Sequence, residues 1–364
     1  MASSSSNVAP CLPEVLHSQV EFSSHQNQAG SPETEFRQTP NVSFVRKFFN
    51  DRLTFPDGAQ LEIWSFEDET SGRSFPAPLT RAKEGDIVHV LLKPSKQAHT
   101  IHHHGIEPDP RNDGVGHTSF EVKGGYTYQF RVQPGERGNP NRGAAGTYFY
   151  HCHVNTVLHV QMGMFGPMIY DPQSGRGKAF VDDDIGYDPR AETLLVTWAA
   201  DPRWHTFNHG AGLDGEDVGL NRFEPKHFYL LGGDLNTPPR TVGVHSVREI
   251  LATKPGSGPP GLLRVNNATY FPTVVRFGSG KKGDLKAEVF AHDGRPLRDT
   301  SKRPSPPVSA LTSVLAFGAA ERYDMRLRPP AGAISGDTFP VTVEWSHWIT
   351  GRPLAQRTAT VRVI

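Results

Sequence analysis

The sequence predicts an all-β protein made of two β-sandwiches in tandem, and three observations lead there. Gly (36) and Pro (31) are abundant, which favours short strands joined by turns over long helices. Short apolar runs recur along the whole chain between Gly, Pro, Asn and Asp clusters. No stretch sustains a helical period over three turns, HSVREILA being the one weak candidate. The length of 364 residues suits two or three domains of ordinary size.

Taken in order, residues 1–38 are rich in Ser, Gln, Asn and Glu and predict a flexible N-terminal arm. Ordered structure is expected from Val42, in VSFVRKFF. In GDIVHVLLKP both alternating faces are apolar, which predicts a central strand. In YTYQFRVQ, Tyr126, Tyr128, Phe130 and Val132 alternate with Thr127, Gln129 and Arg131, which predicts a strand with one wet face. GTYFY and GMFGPMIYDP complete a first domain placed at 39–175. The polar, Gly-rich stretch that follows gives a linker at 176–190. ETLLVTWAA, HFYLLGG, LLRVNNATY, AEVFAHDG, RYDMRLRPP and FPVTVEW then supply the strands of a second domain at 191–364.

Lys+Arg and Asp+Glu both number 38, so the formal charge is zero and nothing points to nucleic acid or an acidic membrane surface. No apolar run is long enough to span a bilayer. The opening MASSSSNVAP lacks a basic and then apolar leader pattern, so the expectation is a cytosolic chain or one whose leader has been removed. There are two cysteines, Cys11 and Cys152, too few for a disulfide framework. Cys11 sits in the polar arm and reads as incidental. Cys152 sits between two histidines and reads as chemistry.

Two windows, HTIHHHG (99–105) and YHCHVNTVLHVQMGM (150–164), hold seven of the seventeen histidines. Clustered imidazoles bind transition metals. A lone Cys, a His seven residues on and a Met five further fit a redox copper, which takes two imidazoles and a thiolate in a plane with a weak axial thioether. A short loop could carry Cys152, His159 and Met164, with His99 arriving from another strand. Strand parity puts His151 and His153 on one face and Cys152 on the other. His102 and His104 likewise share a face opposite His103. On an ideal strand His99 would share parity with His103, so a bend is expected between His99 and His102.

HTIHHHG resembles the H-x-x-H-x-H-G segment of the multicopper oxidases, the laccases and their relatives. YHCHVNTVLHVQMGM is similar to their H-C-H-x3-H-x4-M/L/F segment, two residues longer. The order of NDGVGHTSFEVKGGYTYQFRVQ before GTYFYHCH is also similar, as are LLRVNNATYF, AEVFAHDGRPL and AERYDMRLRPP in the second half. The resemblance implies two cupredoxin-like Greek-key sandwiches and a copper-dependent oxidoreductase. It implies type 1 copper on His99, Cys152, His159 and Met164, with a reductant meeting the surface near His159. It implies additional type 2 or type 3 copper on His102, His104, His151 and His153. Asp113 matches an acidic residue that assists proton delivery to oxygen. The donor would be a small molecule, a metal ion or a small redox protein, oxygen the acceptor, and the compartment the periplasm or the cell exterior. The second half has no His-x-His pair, so a complete three-copper cluster would need chains to assemble, a trimer being favoured. A nitrite-reductase-type trimer and a type 1 electron carrier remain alternatives. His347 falls near a ligand position of the former, whereas Asn266 or Asn267 stands where its catalytic histidine would be.

Other residues have plainer readings. His103 is expected to pack, His117 to hydrogen-bond, and His292 to serve a turn. His347 reads more readily as structural than as a ligand, and Asp113 reads equally as the cap of the Asp-Gly turn.

Overall fold

The computed structural model describes residues 39–364 apart from 107, 109, 137–142, 181–184, 214, 237–242 and 303–304. The arm expected over 1–38, with Cys11, lies outside the described residues. The all-β expectation holds. The first half forms β1 (Val42–Thr54), β2 (Gln60–Asp68), β3 (Gly72–Arg73), β4 (Thr80–Lys83), β5 (Ile87–Leu92), β6 (His102–His104), β7 (Tyr126–Arg131), β8 (Gly146–His151) and β9 (Phe165–Asp171). Two short helices, α1 (Pro110–Asp113) and α2 (Thr156–Met162), interrupt them. One sheet runs β3-β2-β1-β5-β7 and the other β4-β9-β8-β6. Between them lies a shared core that includes Phe66, Val88, Val90, Tyr128 and Tyr150.

The second half repeats the plan with β10 (Glu192–Ala200), β11 (His227–Asp234), β12 (Glu249–Ala252), β13 (Leu262–Asn267), β14 (Thr273–Phe277), β15 (Ser279–Gly280), β16 (Gly283–Asp284), β17 (Lys286–His292), β18 (Arg295–Pro296), β19 (Ala310–Thr312), β20 (Val314–Phe317), β21 (Arg322–Arg328), β22 (Thr338–Ser346) and β23 (Pro353–Val363). Its main sheets run β11-β10-β13-β21-β17-β18 and β12-β23-β22-β14-β20. The pairings match across the halves. β1 lies parallel to β5 as β10 lies parallel to β13, and β4 parallel to β9 as β12 parallel to β23. Parallel neighbours need crossover connections, here running from one sheet of each sandwich to the other and back.

Three local expectations change. HSVREILA contributes strand β12, because Ile250 and Ala252 bury one face beside β23. β7 is not wet on one face: Thr127 and Gln129 are buried as well. The α1 segment covers them, with Gln129 N–H donating to Asn112 Oδ1 at 2.6 Å. The expected linker is also packed against the body. Phe180 and Tyr187 are buried with Leu262 and Phe290, and Ala179 N–H donates to Ile185 O at 2.9 Å.

The two halves share an apolar seam of Phe55, Phe75, Phe149, Phe165, Trp198 and Tyr229. Burying each side chain of this size contributes about 1.5–3 kcal/mol. Beside it runs a buried ion network. Arg81 holds Asp171 through two 2.7 Å hydrogen bonds and Glu192 at 3.1 Å. Arg264 reaches Glu192 at 2.7 Å and Asp324 at 3.3 Å. No helix among the described residues is long and apolar enough to cross a membrane.

Candidate metal centres

Cys152 follows β8 directly, and its N–H donates to Met164 O at 3.0 Å, which closes the connection between β8 and β9. That connection is not a loop. It is helix α2, which carries His159 and ends at Gly163, whose φ of 113° turns the chain into β9. His99 lies before β6 in an isolated bridge to Val122. The strand is broken between His99 and His102, so the parity conflict does not arise.

The three side chains converge. His159 Nδ1 lies 3.3 Å and His99 Nδ1 3.9 Å from Cys152 Sγ, and the three ligand atoms fall within 4.8 Å of one another. Nε2–H of His159 donates to His209 O at 3.4 Å, which leaves the Nδ1 lone pair facing the sulfur. His99 stacks on Phe48 with ring centroids 4.3 Å apart. Met164 is fully buried, and its N–H donates to His159 O at 3.0 Å.

Burial, with His159 and His209 adding to it, pushes the His99 imidazole down to about 2, and burial with His209 brings His159 to about 3. Both rings are therefore neutral at ordinary pH. Burial also pushes the Cys152 thiol up to about 11. Among the described residues the sulfur meets His99, His159 and Val154 O, none of them a Lys or Arg, so a thiolate there calls for a bound cation.

On the other side of Cys152 lies a second group. The ligand atoms of His102, His104 and His151 fall within 4.8 Å of one another. His153 stands at the same cluster, its ring centroid 5.5 Å from that of His102 and 5.7 Å from that of His151. Register explains the meeting, since His102 pairs with His151 across β6 and β8. Nδ1–H of His102 donates to Asp113 O at 2.8 Å, and Nδ1–H of His151 donates to Cys152 O at 2.9 Å. Carbonyl partners of this kind fix the tautomer and leave Nε2 free as a ligand. Burial keeps His104 neutral, with Arg322 adding to the effect, at about 4.

Asp113 ends α1, with Oδ1 3.4 Å from His102 Nδ1 and Oδ2 accepting from Thr118 at 3.1 Å. It thus sits beside the second group. His103 points away and packs on Tyr128 and Phe130. His117 is exposed. His292 stacks on Tyr323 and reaches Glu321 Oε1 at 3.1 Å. His347 Nδ1 accepts from the Ile349 and Thr350 amides, both at 3.2 Å, as a turn cap. Asn267 is absorbed in hydrogen bonds to Phe271 O and Gly318 O.

A reductant meeting the surface near His159 would not touch the ring itself, which is completely buried. The 201–226 connection from the second sandwich lies over it. His209 packs tilted against His159 at 4.2 Å and edge-on against His99 at 4.9 Å, ring centroid to centroid. Asn155 Nδ2 holds the same connection at Ala211 O, 2.9 Å away. His209 is not legible in the sequence, since it lies outside both histidine windows, some fifty positions from His159. Arg322, which borders the second group, carried no local signal either.

The donor sets fit copper. The first combines a soft sulfur with two neutral imidazoles, the second imidazoles alone, and these are preferences of Cu(I) and Cu(II). Comparison with known proteins agrees. Residues 54–175 match the family model described as multicopper oxidase. Copper resistance protein A of Pseudomonas syringae pv. tomato is 35% identical over 127 residues, covering 34% of this chain and 18% of that protein. An L-ascorbate oxidase of Cucumis sativus is 34% identical over 154 residues, 40% of this chain and 22% of the other. The alignments thus span about a fifth of each of these relatives. The fold resembles a blue copper oxidase from Nitrosomonas europaea, with a TM-score of 0.60, 20% identity, and coverage of 88% of this chain and 86% of that one.

Proposed function

We propose that this chain is a copper-dependent oxidoreductase of multicopper-oxidase type, performing one-electron oxidation of a donor with oxygen as acceptor. The observation that carries the reading is the convergence of two Nδ1 atoms on Cys152 Sγ. In this reading His99, Cys152, His159 and Met164 hold type 1 copper, and His102, His104, His151 and His153 hold the second centre. Copper bound at the sulfur would supply one-electron redox chemistry, its potential raised by the soft ligands and the dry surroundings.

The chain's own part is positional. Cys152 is joined by single peptide bonds to His151 and His153, so one tripeptide serves both groups and provides the shortest covalent connection between them. The Asp113 carbonyl orients His102, and its carboxylate is the proposed proton carrier. The proposed division is a first domain at 39–175, a connection at 176–190 and a second domain at 191–364. The proposed donor is a small molecule, a metal ion or a small redox protein. Four imidazoles from one chain support a homo-oligomer, a trimer being favoured, in which a neighbour completes the second centre. The proposed compartment is the periplasm or the cell exterior, and similarity to a copper resistance protein supports it.

The test is metal content and colour together. The purified chain should bind more than one copper and show the intense blue of thiolate-to-copper charge transfer. Cys152→Ser should be colourless while retaining copper at the imidazole group. A blue Cys152→Ser protein, or a parent that binds no copper, would end the reading.

A further inference from the structure

The imidazole group opens on a cavity of about 450 Å³, lined by His102 and His104 from the first sandwich and by Asp293, Arg295 and Arg322 from the second. Metal ligation gives no reason for two guanidinium groups there. Cations beside an imidazole set disfavour a metal ion by Coulomb repulsion. Their presence calls for a negative partner, and among the described residues the cavity is lined by one carboxylate, Asp293, against two arginines.

Arg322 is built into this wall. Its side chain is 4% exposed. Nη1–H donates to Ala320 O at 2.7 Å and pairs with Asp293 Oδ1 at 3.0 Å. The guanidinium lies over Tyr148 and Phe149, its central carbon 5.9 and 5.8 Å from the ring centroids. Nε is buried and has no hydrogen-bond partner. The engaged nitrogen is therefore Nη1, while the edge formed by Nε and Nη2 is the one left over. Gly105 borders that edge. Its φ is 95°, and a Cβ there would stand 2.7 Å from Arg322 Nη2 and 3.0 Å from the Tyr148 ring. The backbone of the histidine segment thus approaches the guanidinium more closely than any residue with a side chain would allow. Arg295 is pinned across the cavity by donating from Nη1 to Gly143 O.

The Nε/Nη2 edge, with Nε unpartnered, carries two parallel N–H donors, the geometry that accepts two oxygens of one planar anion. We propose that the mouth of the imidazole group is a binding site for a small planar oxyanion of carboxylate type, held by Arg322 and balanced by Arg295. A spherical anion would meet the same charge without using the fork. Asp293 opposes the anion, but it is spent on the Nη1 side of Arg322 and lies within 3.4 Å of His292. The site goes beyond the redox reading, since it needs neither copper nor turnover.

The test is isothermal titration of the full-length chain with sodium formate, and with sodium chloride at matched ionic strength, before and after copper removal by a chelator. Formate should bind more tightly than chloride in both preparations. Arg322→Gln should weaken formate binding roughly tenfold or more, as expected for loss of a two-bond charged contact. Arg322→Lys should fall between, keeping charge without the fork. Arg295→Gln is on an exposed residue and serves if Arg322→Gln does not fold; it should weaken formate by a smaller factor. Equal formate affinity in parent and folded variants, or no preference over chloride, would overturn the proposal. Failure of the copper reading would look different: no copper bound, with the contrast between parent and variants intact.

Discussion

At the residue scale the decisive fact is that adjacent residues serve opposite sides. Cys152 faces His99 and His159, while His151 lies across β8 with its Nε2 3.3 Å from His104 Nδ1. His151→Ala should therefore keep the blue colour and lose copper from the imidazole group, as absorption and metal analysis would show. Loss of colour would mean that the faces are assigned wrongly. The proposed ligands were legible because each sits in a short window whose spacing is dictated by strand alternation and one turn. Phe48, His209 and Arg322 were not, because the contacts that place them join residues far apart in the chain and leave no periodic trace. The cover over His159 is hidden for the same reason: it comes from the other sandwich.

At the element scale the feature that sets the sulfur group is α2. Seven residues are too few to show a helical period, so the sequence suggests only a short loop. The strands around it were easier to read, since β5, β8, β9 and β10 each carry a dense apolar run between turn residues. β12 misled because its short apolar face also fits one helical turn. The helix depends on its exit. Gly163 takes φ 113°, and a Cβ there would lie 2.6 Å from Phe75 Cε2 and 3.0 Å from Ile63 Cγ2. Gly163→Ala should cost about 1–3 kcal/mol from backbone strain, with the ring contact adding to it. The check is the urea midpoint, and a variant as stable as the parent would show that α2 can end another way.

At the scale of the whole molecule, two sandwiches are held together by an apolar seam and by charge. Glu192 has a side chain with no exposure and lies between Arg81, Arg176 and Arg264. Burial alone would raise its carboxyl; Arg264 and Arg81 outweigh that and hold it at about 2. A carboxyl depressed on folding contributes stability above the ordinary carboxylate range, and that contribution is lost as pH falls towards the folded value. Thermal melts should therefore show stability falling from about pH 4.5 towards 2, in the direction of loosened sandwich contact. Glu192→Gln should lower stability at neutral pH by about 3–5 kcal/mol, because the arginines remain buried without their partner, and should flatten the acid limb. An unchanged acid limb would place the sensitivity elsewhere.

The 201–226 connection has a consequence for how such a protein could change its choice of donor. Anything approaching from solvent towards His159 meets a segment that belongs to the other half of the chain. Under the proposed function, donor recognition and redox chemistry would fall to different stretches of sequence. Insertions or exchanges in that cover would then alter which molecules deliver electrons while every proposed copper ligand stays as it is.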